Sequence, residues 1–440
     1  MNTPTVPESL ARLYKLQSAG IKFDLDVERA LLESMGHPES GPMVVHVAGT
    51  NGKGSVCSML ESVLRESGLK TALYTSPHLI RFNERIRVNG ACISDGELAE
   101  LFNLVDEHVR ALSTRPSWRQ ITFFEFATAL AFEHFRRKRA DIVVLETGMG
   151  GRLDATNVAV PAACVITGIS LEHVEYLGAA IADIAAEKGG IIKPGRPVVV
   201  GELPGEALDV IGRLARERKA RLVRSRDIVS VTRKSQNLDC QKVGLESAGA
   251  SYGLVRLPLL GAHQLENLGI AAAALEVLRG ECGVNFSPET VKKGLERLKW
   301  PGRCQVLSKN PLTILDCAHN PGGAHVLERA LRELAGGMPV GLVAGFCADK
   351  DFRGFMRCLA PLIRRFWAVP LRTERSLPPE IAAKESGIAG CEVSVSTVQE
   401  ALRSARAWAV SNSGAVCIAG SIFLAGELLE LFSGSDGLFG

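Results

Sequence analysis

No CxxC pair occurs among the 11 scattered cysteines. An odd number without pairing fits reduced thiols in a cytosolic protein, not a disulfide framework or a zinc site, and Cys164 and Cys417 read as core fillers. No basic stripe with interleaved aromatics is present, and 51 basic against 48 acidic residues leave a formal net charge of +3, so no nucleic acid partner is expected. No apolar run reaches the length of a membrane span, and MNTPTVPESLARLYKLQSAG lacks the basic-then-apolar layout of a signal peptide. The expectation is a cytoplasmic protein without membrane association. Internal repeats and low-complexity tracts are missing too. What is there is a chain of 440 residues, 46% hydrophobic, too long for one ordinary core and expected to form two or three domains.

From Val44 to about Val200, short β-branched runs alternate with helical segments: MVVHVA, Lys53–Glu66, KTALYTS, Phe123–Arg139, DIVVLE, CVITGIS and PVVVG. That alternation predicts a parallel sheet with helices on both faces. From about Arg221 to Leu259 the pieces RLVRSRDIVSVTR and SYGLVRLP suggest a small antiparallel insertion, and a helix is expected over His263–Leu278. The Pro-Gly pair of LKWPGRCQVLSKNP marks a domain boundary. Beyond it the alternation restarts with TILDCAHN, VGLVAGF, FWAVPL, CEVSVS and GAVCIAGSI. Active sites favour clefts between such domains.

The stretch VVHVAGTNGKGSVCSMLESVL, Val44–Leu64, reads as a strand, a glycine turn and a helix. Glycines at 49, 52 and 54 let a backbone approach polyphosphate with its N–H groups turned inward. Lys53 supplies a mobile cation, Ser55 a hydroxyl for Mg²⁺, and the helix its positive end. The spacing Gly49-Thr50-Asn51-Gly52-Lys53-Gly54-Ser55 is two residues shorter than GxxxxGK[ST]. His46, inside the strand, reads as a core histidine. The fold class that follows is α/β: a P-loop-containing parallel-sheet domain with a small antiparallel insertion over 1–298, then a smaller Rossmann-like α/β domain over 299–440.

The shortened loop resembles that of the Mur ligase superfamily, and within it the chain resembles the folylpolyglutamate synthase/dihydrofolate synthase family. The resemblance is carried by GTNGKGS together with SPHLIRFNERIRVNG (76–90), ITFFEF (121–126), LETGMGGRLDATN (145–157), ISLEHVEYLG (169–178), EKGGIIKPG (187–195), HQLEN (263–267), PGRCQV (301–306) and LDCAHNP (315–321). It implies ATP- and Mg²⁺-dependent joining of L-glutamate to dihydropteroate or reduced folates through an acyl phosphate, by a monomer. Such chemistry gathers several anions and calls for a metal, lysines and helix ends.

Residue by residue, the resemblance makes Thr50, Asn51, Gly52, Lys53, Gly54 and Ser55 nucleotide contacts, with Lys53 also catalytic. Glu146 ends the strand DIVVLE, where ligands gather in doubly wound sheets but where a solvated carboxylate is as ordinary. The resemblance makes it a Mg²⁺ ligand with Ser55 and Ser76, and His173 a second-metal ligand and catalytic group; a lone histidine is otherwise a surface or capping residue. Lys188, near a helix end where lysine usually faces water, matches a catalytic lysine that is carbamylated in the family. Gly189 stands where the family usually has alanine, which would loosen the helix end.

Glu125 sits in an apolar helix face, so its carboxylate is paired or functional. The resemblance places it as a catalytic and substrate contact with Thr122, Phe124, Arg152, Leu153, Asp154, Asp24 and Leu25, around the pterin and its reactive end. Asp26 stands where some relatives have glycine. Asn267, Arg303, Asp316 and His319 are implied nucleotide contacts, although Asn267 reads equally as a helix polar residue and AHNPGG as a turn. Domain closure would then exclude water from the acyl phosphate. Ala348 replaces a histidine usual in relatives. Two other readings are a folylpolyglutamate synthase without the second activity and a P-loop nucleotide-switched binding protein, against which Glu125 and GGRLDATN speak. A cell-wall precursor ligase would need a further domain ahead of the loop, where only about forty residues stand.

Overall fold

Short runs such as VVHVA, IVVLE, ACVI and VVV cannot bury one face only; they demand cover on both sides, as parallel strands do. In the computed structural model, which describes residues 6–16, 24–116, 118–388 and 390–434, they form the middle of an eight-stranded sheet in the order β4-β3-β2-β5-β1-β6-β7-β8. Its strands are β1 Met43–Ala48, β2 Thr71–Tyr74, β3 Ile86–Val88, β4 Ala91–Cys92, β5 Ile142–Glu146, β6 Ala163–Ile166, β7 Val198–Val200 and β8 Leu222–Arg224. Strands β2, β5, β1, β6, β7 and β8 run parallel, so their C-terminal ends share one edge. The glycine loop, Ser76 and Thr167 lie just past those ends, and Glu146 is the last residue of β5.

Two features of this sheet differ from the sequence expectation. Strands β3 and β4 are antiparallel to their neighbours. Asn89 and Gly90 at φ 49° and 77° make the hairpin turn that Asn-Gly favours because both positions need positive φ. And Leu222–Arg224, expected in the insertion, pairs parallel with β7 as the last strand of the large sheet. The insertion proper is the three-stranded sheet β11-β10-β9, made of β9 Val229–Gln236, β10 Gln241–Ser247 and β11 Ala250–Leu257.

A second sheet has the order β12-β13-β17-β14-β15-β16, with β12 Gln305–Lys309, β13 Leu312–Leu315, β14 Val340–Ala344, β15 Ile363–Ala368, β16 Glu392–Val395 and β17 Ala415–Ala419. Only β12–β13 is antiparallel; the other pairs run parallel. A core that includes Ile314, Leu331, Leu342, Phe355 and Phe366 is buried within this unit. Compactness divides the chain into Met1–Val231, Leu245–Gly253 and Glu266–Arg297 on one side, and Thr232–Gly244, Leu254–Leu265 and Leu298–Gly440 on the other. The second unit thus begins its main run at 298 and also takes in two stretches of the insertion. The outer domain bounds, 1 and 440, lie outside the described residues.

Candidate functional site

Strand β1 delivers the chain into Gly49–Gly52, and the helix Lys53–Glu66 starts immediately after, with Gly52 as its N-cap at φ 87°. Both glycines are required by what they touch. A Cβ at Gly49 would lie 1.9 Å from Thr167 Oγ1, and one at Gly52 would lie 2.4 Å from Asn267 Oδ1. The loop is tied to the segment after β6: Thr50 N donates to Gly168 O at 2.7 Å, Thr50 Oγ1 to Ser170 O at 3.1 Å, and Thr167 Oγ1 to Asn51 O at 2.7 Å. Asn51 is exposed, Gly52 and Lys53 are half-buried, and Gly54 and Ser55 are buried.

Two amines meet at one carbonyl. Lys53 Nζ donates to Gly49 O at 2.9 Å and to Thr50 O at 3.1 Å, and Lys188 Nζ donates to Gly49 O at 2.8 Å. Lys188 does not face water; it is 2% exposed. Burial, and after it the charge of Lys53, pulls its pKa down to about 7, with Glu172 and Asp154 opposing. The same ties at Thr50 bring in the segment carrying His173, which precedes the short helix Val174–Leu177 at φ 51°. Its Nε2 lies 3.9 Å from Glu172 Oε1. Lys53 and Lys188 therefore meet at the glycine loop, and the charge of Glu172 acts on Lys188 there.

Glu146, at the end of β5, is 4% exposed and its Oε2 accepts from Ser76 N at 3.0 Å. Glu146 and Lys53 both act on the buried thiol of Cys57, which puts the carboxylate beside the start of the loop helix. Among the described residues no group of three or more His, Cys, Asp and Glu side chains is assembled for a metal. One carboxylate with the hydroxyls of Ser55 and Ser76 nevertheless suits a hard cation that keeps waters and takes its remaining ligands from phosphates, as Mg²⁺ does.

At the start of the helix Phe123–Lys138, Thr122 is the N-cap and Glu125 closes a capping box. Glu125 Oε2 accepts from Thr122 N and Oγ1, both at 2.8 Å. The cation that neutralises Glu125 is Arg119, at 2.6 Å, which also binds Asp24 at 2.9 Å. Phe124 covers Gly148, where a Cβ would come within 2.5 Å of its ring. Asp154 is buried: its Oδ2 accepts from Met149 N at 2.9 Å and its Oδ1 from the backbone and hydroxyl of Thr156. Leu25 is buried and Leu153 half-buried, while Arg152 is exposed and paired with Glu187 at 2.8 Å.

Three residues near this end were not singled out from sequence. Arg119 lies six residues before Glu125, and a buried acid needs such a cation close by. Arg85 is 7% exposed, donates from Nε to His78 Nδ1 at 2.8 Å and lies over the rings of Phe82 and Phe123. Glu28 is fully buried, and neither carboxylate oxygen has a hydrogen-bond partner. Burial first, then Glu125, Asp154 and Glu39, raises its pKa well above the usual carboxylate range. His46 is buried in the core, with Nε2 2.8 Å from Thr156 Oγ1 but Nδ1 without a hydrogen-bond partner, and burial lowers its pKa to about 3.

Because its folded-state pKa is raised, Glu28 lowers stability progressively as pH rises from the unfolded value of about 4.3 toward the folded one. Glu28→Gln removes that titration. The variant is expected to gain stability relative to the parent as pH rises to 7.5, with the difference closing below about pH 4. Urea unfolding at the two pH values measures it; a difference between variant and parent that is the same at both would show that Glu28 does not titrate over this range.

In the second unit, β13 leads into Asp316, whose Oδ2 accepts from Cys304 N and Oδ1 from Ala318 N, both at 2.7 Å. Burial raises its pKa against the opposing charge of Arg303. His319 Nδ1 lies 2.9 Å from Cys317 O. Arg303, Asp316 and His319 thus share one corner of this unit. Asn267 belongs to the first unit, on the helix His263–Cys282.

The model of the Mur ligase middle domain matches residues 47–275, and that of the Mur ligase glutamate ligase domain matches 302–422. A dihydrofolate synthase/folylpolyglutamate synthase of Bacillus subtilis is 36% identical over 77% of this chain and 79% of its own length. One from Escherichia coli is 32% identical over 84% of this chain and 83% of its own. Among solved structures, Mycobacterium tuberculosis folylpolyglutamate synthase complexed with ADP and AMPPCP superimposes with a TM-score of 0.90 at 30% identity, covering 98% of this chain and 99% of that one. E. coli FolC in complex with DHPP and ADP gives 0.87 at 29% identity, covering 98% of each. No helix of the described residues is long and apolar enough to cross a membrane.

Proposed function

The chain belongs to the dihydrofolate synthase/folylpolyglutamate synthase family of Mur ligases, ATP-dependent amide-forming enzymes, and from that premise we propose how its own residues divide the work. ATP phosphorylates the carboxylate of dihydropteroate or of a reduced folate. The amine of L-glutamate then attacks the acyl phosphate, the C–O bond to phosphate breaks, and the amine's proton leaves as the amide forms. The observation that carries this is the shared Gly49 carbonyl, which holds Lys53 and Lys188 at the phosphate loop on the sheet edge where Glu146 stands.

The loop amides of Thr50–Ser55 cradle the triphosphate, and Lys53 leaves the loop carbonyls to meet charge developing on the transferred phosphoryl group. Glu146, Ser55 and Ser76 would hold Mg²⁺, and His173, with Lys188, a second ion. When bound, these ions neutralise phosphate oxygens and polarise the phosphoryl group. Asn267, Arg303, Asp316 and His319 are assigned to the base, ribose and phosphates. Thr122, Phe124, Leu25, Leu153 and Asp154 form the wall against which the pterin lies. In this assignment Glu125 works through Arg119 and Asp24, and Arg152 orders its loop through Glu187. We assign the protein both activities, dihydrofolate formation and chain extension, as a monomer in the cytoplasm.

The deciding experiment measures ADP and phosphate release with ATP, Mg²⁺ and glutamate, comparing dihydropteroate with tetrahydrofolate. Release that requires glutamate and occurs with both acceptors is the expected result. Release with tetrahydrofolate alone leaves only the extension activity, and none with either overturns the proposal.

A pKa near 7 leaves much of Lys188 as free amine at neutral pH, the form that takes up CO₂ to give a carbamate and a proton. Protonation below pH 7 removes that amine, so the carbamate is expected to be abundant at pH 8 and to fade at pH 6. With ¹³C-bicarbonate, a carbamate resonance present in the parent and missing from Lys188→Met checks it; equal resonances in the two would assign the carbamate elsewhere.

A further inference from the structure

Arg213–Arg226, RLARERKARLVRSR, holds seven basic residues and one acidic residue in fourteen, with no aromatic. Several of these charges have internal work. Arg218 donates to the carbonyls of Gly189, Gly190 and Ile192, Arg221 pairs with Glu281, and Arg226 pairs with Glu202. Arg224 lies 3.9 Å from Asp227, and with Arg213 and Arg216 it also serves a surface feature. They line a groove of about 480 Å³ between the helix Gly205–Glu217 and β8, whose apolar wall includes Leu208 and Leu222 and whose one acid is Asp209. Arg213 and Arg216 are three apart on the helix and so point along the same face. Strand β8 is hydrogen-bonded to β7 on one side and ends the sheet on the other.

We propose that this groove holds the oligo-γ-glutamyl chain of an already extended folate, a second contact for product away from the phosphate loop. The inference rests on the glutamate-ligase function above. A γ-linked chain presents one free α-carboxylate per residue, a repeated anion that answers a row of guanidinium groups able to grip carboxylates bidentately. The groove is several times larger than one carboxylate or one phosphate needs, which favours a chain over a single ion. It shares no lining residue with the glycine loop. Nucleic acid fits less well because no ring is present on which a base could stack.

The test follows the anisotropy of fluorescein-labelled tetra-γ-glutamate with the full chain at physiological ionic strength, without ATP. The parent is expected to bind, Arg213→Glu/Arg216→Glu to weaken binding at least tenfold, and Lys53→Ala to bind as the parent does. The arginine pair should leave addition of the first glutamate to dihydropteroate unchanged. Should the charge-reversed pair not fold, Arg213→Gln/Arg216→Gln is expected to weaken binding at least threefold. The proposal is overturned by no binding to the parent or by undiminished binding to the arginine variants. Loss of binding in Lys53→Ala, or displacement by a single-stranded oligonucleotide more readily than by unlabelled tetra-γ-glutamate, overturns it as well. Binding is read without turnover, so a parent that binds the chain yet releases no ADP would sink the ligase function and not this contact.

Discussion

Lys53→Ala is expected to lower kcat for ATP-dependent glutamate addition by about 10³-fold, roughly 4 kcal/mol of transition-state stabilisation. The loop supplies backbone amides and a helix end, but Lys53 is its own mobile cation, and phosphoryl transfer depends on charge placed where charge develops. In the resting loop this amine bonds the carbonyls of Gly49 and Thr50. Those are exchangeable contacts on a half-buried side chain, and Gly49 O keeps its bond from Lys188 in the variant. The unfolding midpoint should therefore move little. Steady-state ADP release alongside a thermal melt separates the two quantities. Turnover within tenfold of the parent would remove Lys53 from the chemistry, and a collapsed melt would reassign it to holding the loop.

Glu146→Gln is expected to cost about 10²-fold in kcat and to raise the Mg²⁺ concentration giving half-maximal rate. Glutamine keeps an oxygen to accept from Ser76 N, now at 3.0 Å from the carboxylate, so local structure should survive. What disappears is the negative charge in a donor set otherwise made of hydroxyls. Added Mg²⁺ should recover part of the loss, because a weakened site is refilled by mass action. An unchanged Mg²⁺ requirement with a lowered kcat would mean that the carboxylate acts on the substrate and not on a cation. The pair of titrations, Mg²⁺ at fixed ATP and ATP at fixed Mg²⁺, distinguishes these outcomes.

Much of the α/β architecture is legible in local pattern: buried runs of Val and Ile, a glycine turn before an amphipathic helix, and a Pro-Gly pair ahead of a restart. The features not found this way depend on long-range partners. Asn-Gly at 89–90 makes a hairpin whose antiparallel strands join a parallel sheet, and RLVRS joins the edge of that sheet instead of the insertion beside it in sequence. Chain order alone does not say which neighbour a short strand will choose. The same holds at the site. A lysine near a helix end is ordinarily solvated, and only packing against the glycine loop buries Lys188. A carboxylate in an apolar face announces a partner without naming it, and Arg119 is known as that partner from the fold. Glu28, in an otherwise ordinary DVERALLES helix, gives no local sign that both its oxygens are enclosed without a donor.

Glycine at 189 packs against the neighbouring helix. A methyl group there would sit 2.6 Å from Leu214 Cδ1 and 2.8 Å from Ile211 Cδ1. The vacancy is taken up by the neighbouring helix, whose Arg218 fastens the same helix end through its last carbonyls. An alanine at 189 would displace the tips of the Ile211 and Leu214 side chains, so the packing at 189, 211 and 214 has to adjust together.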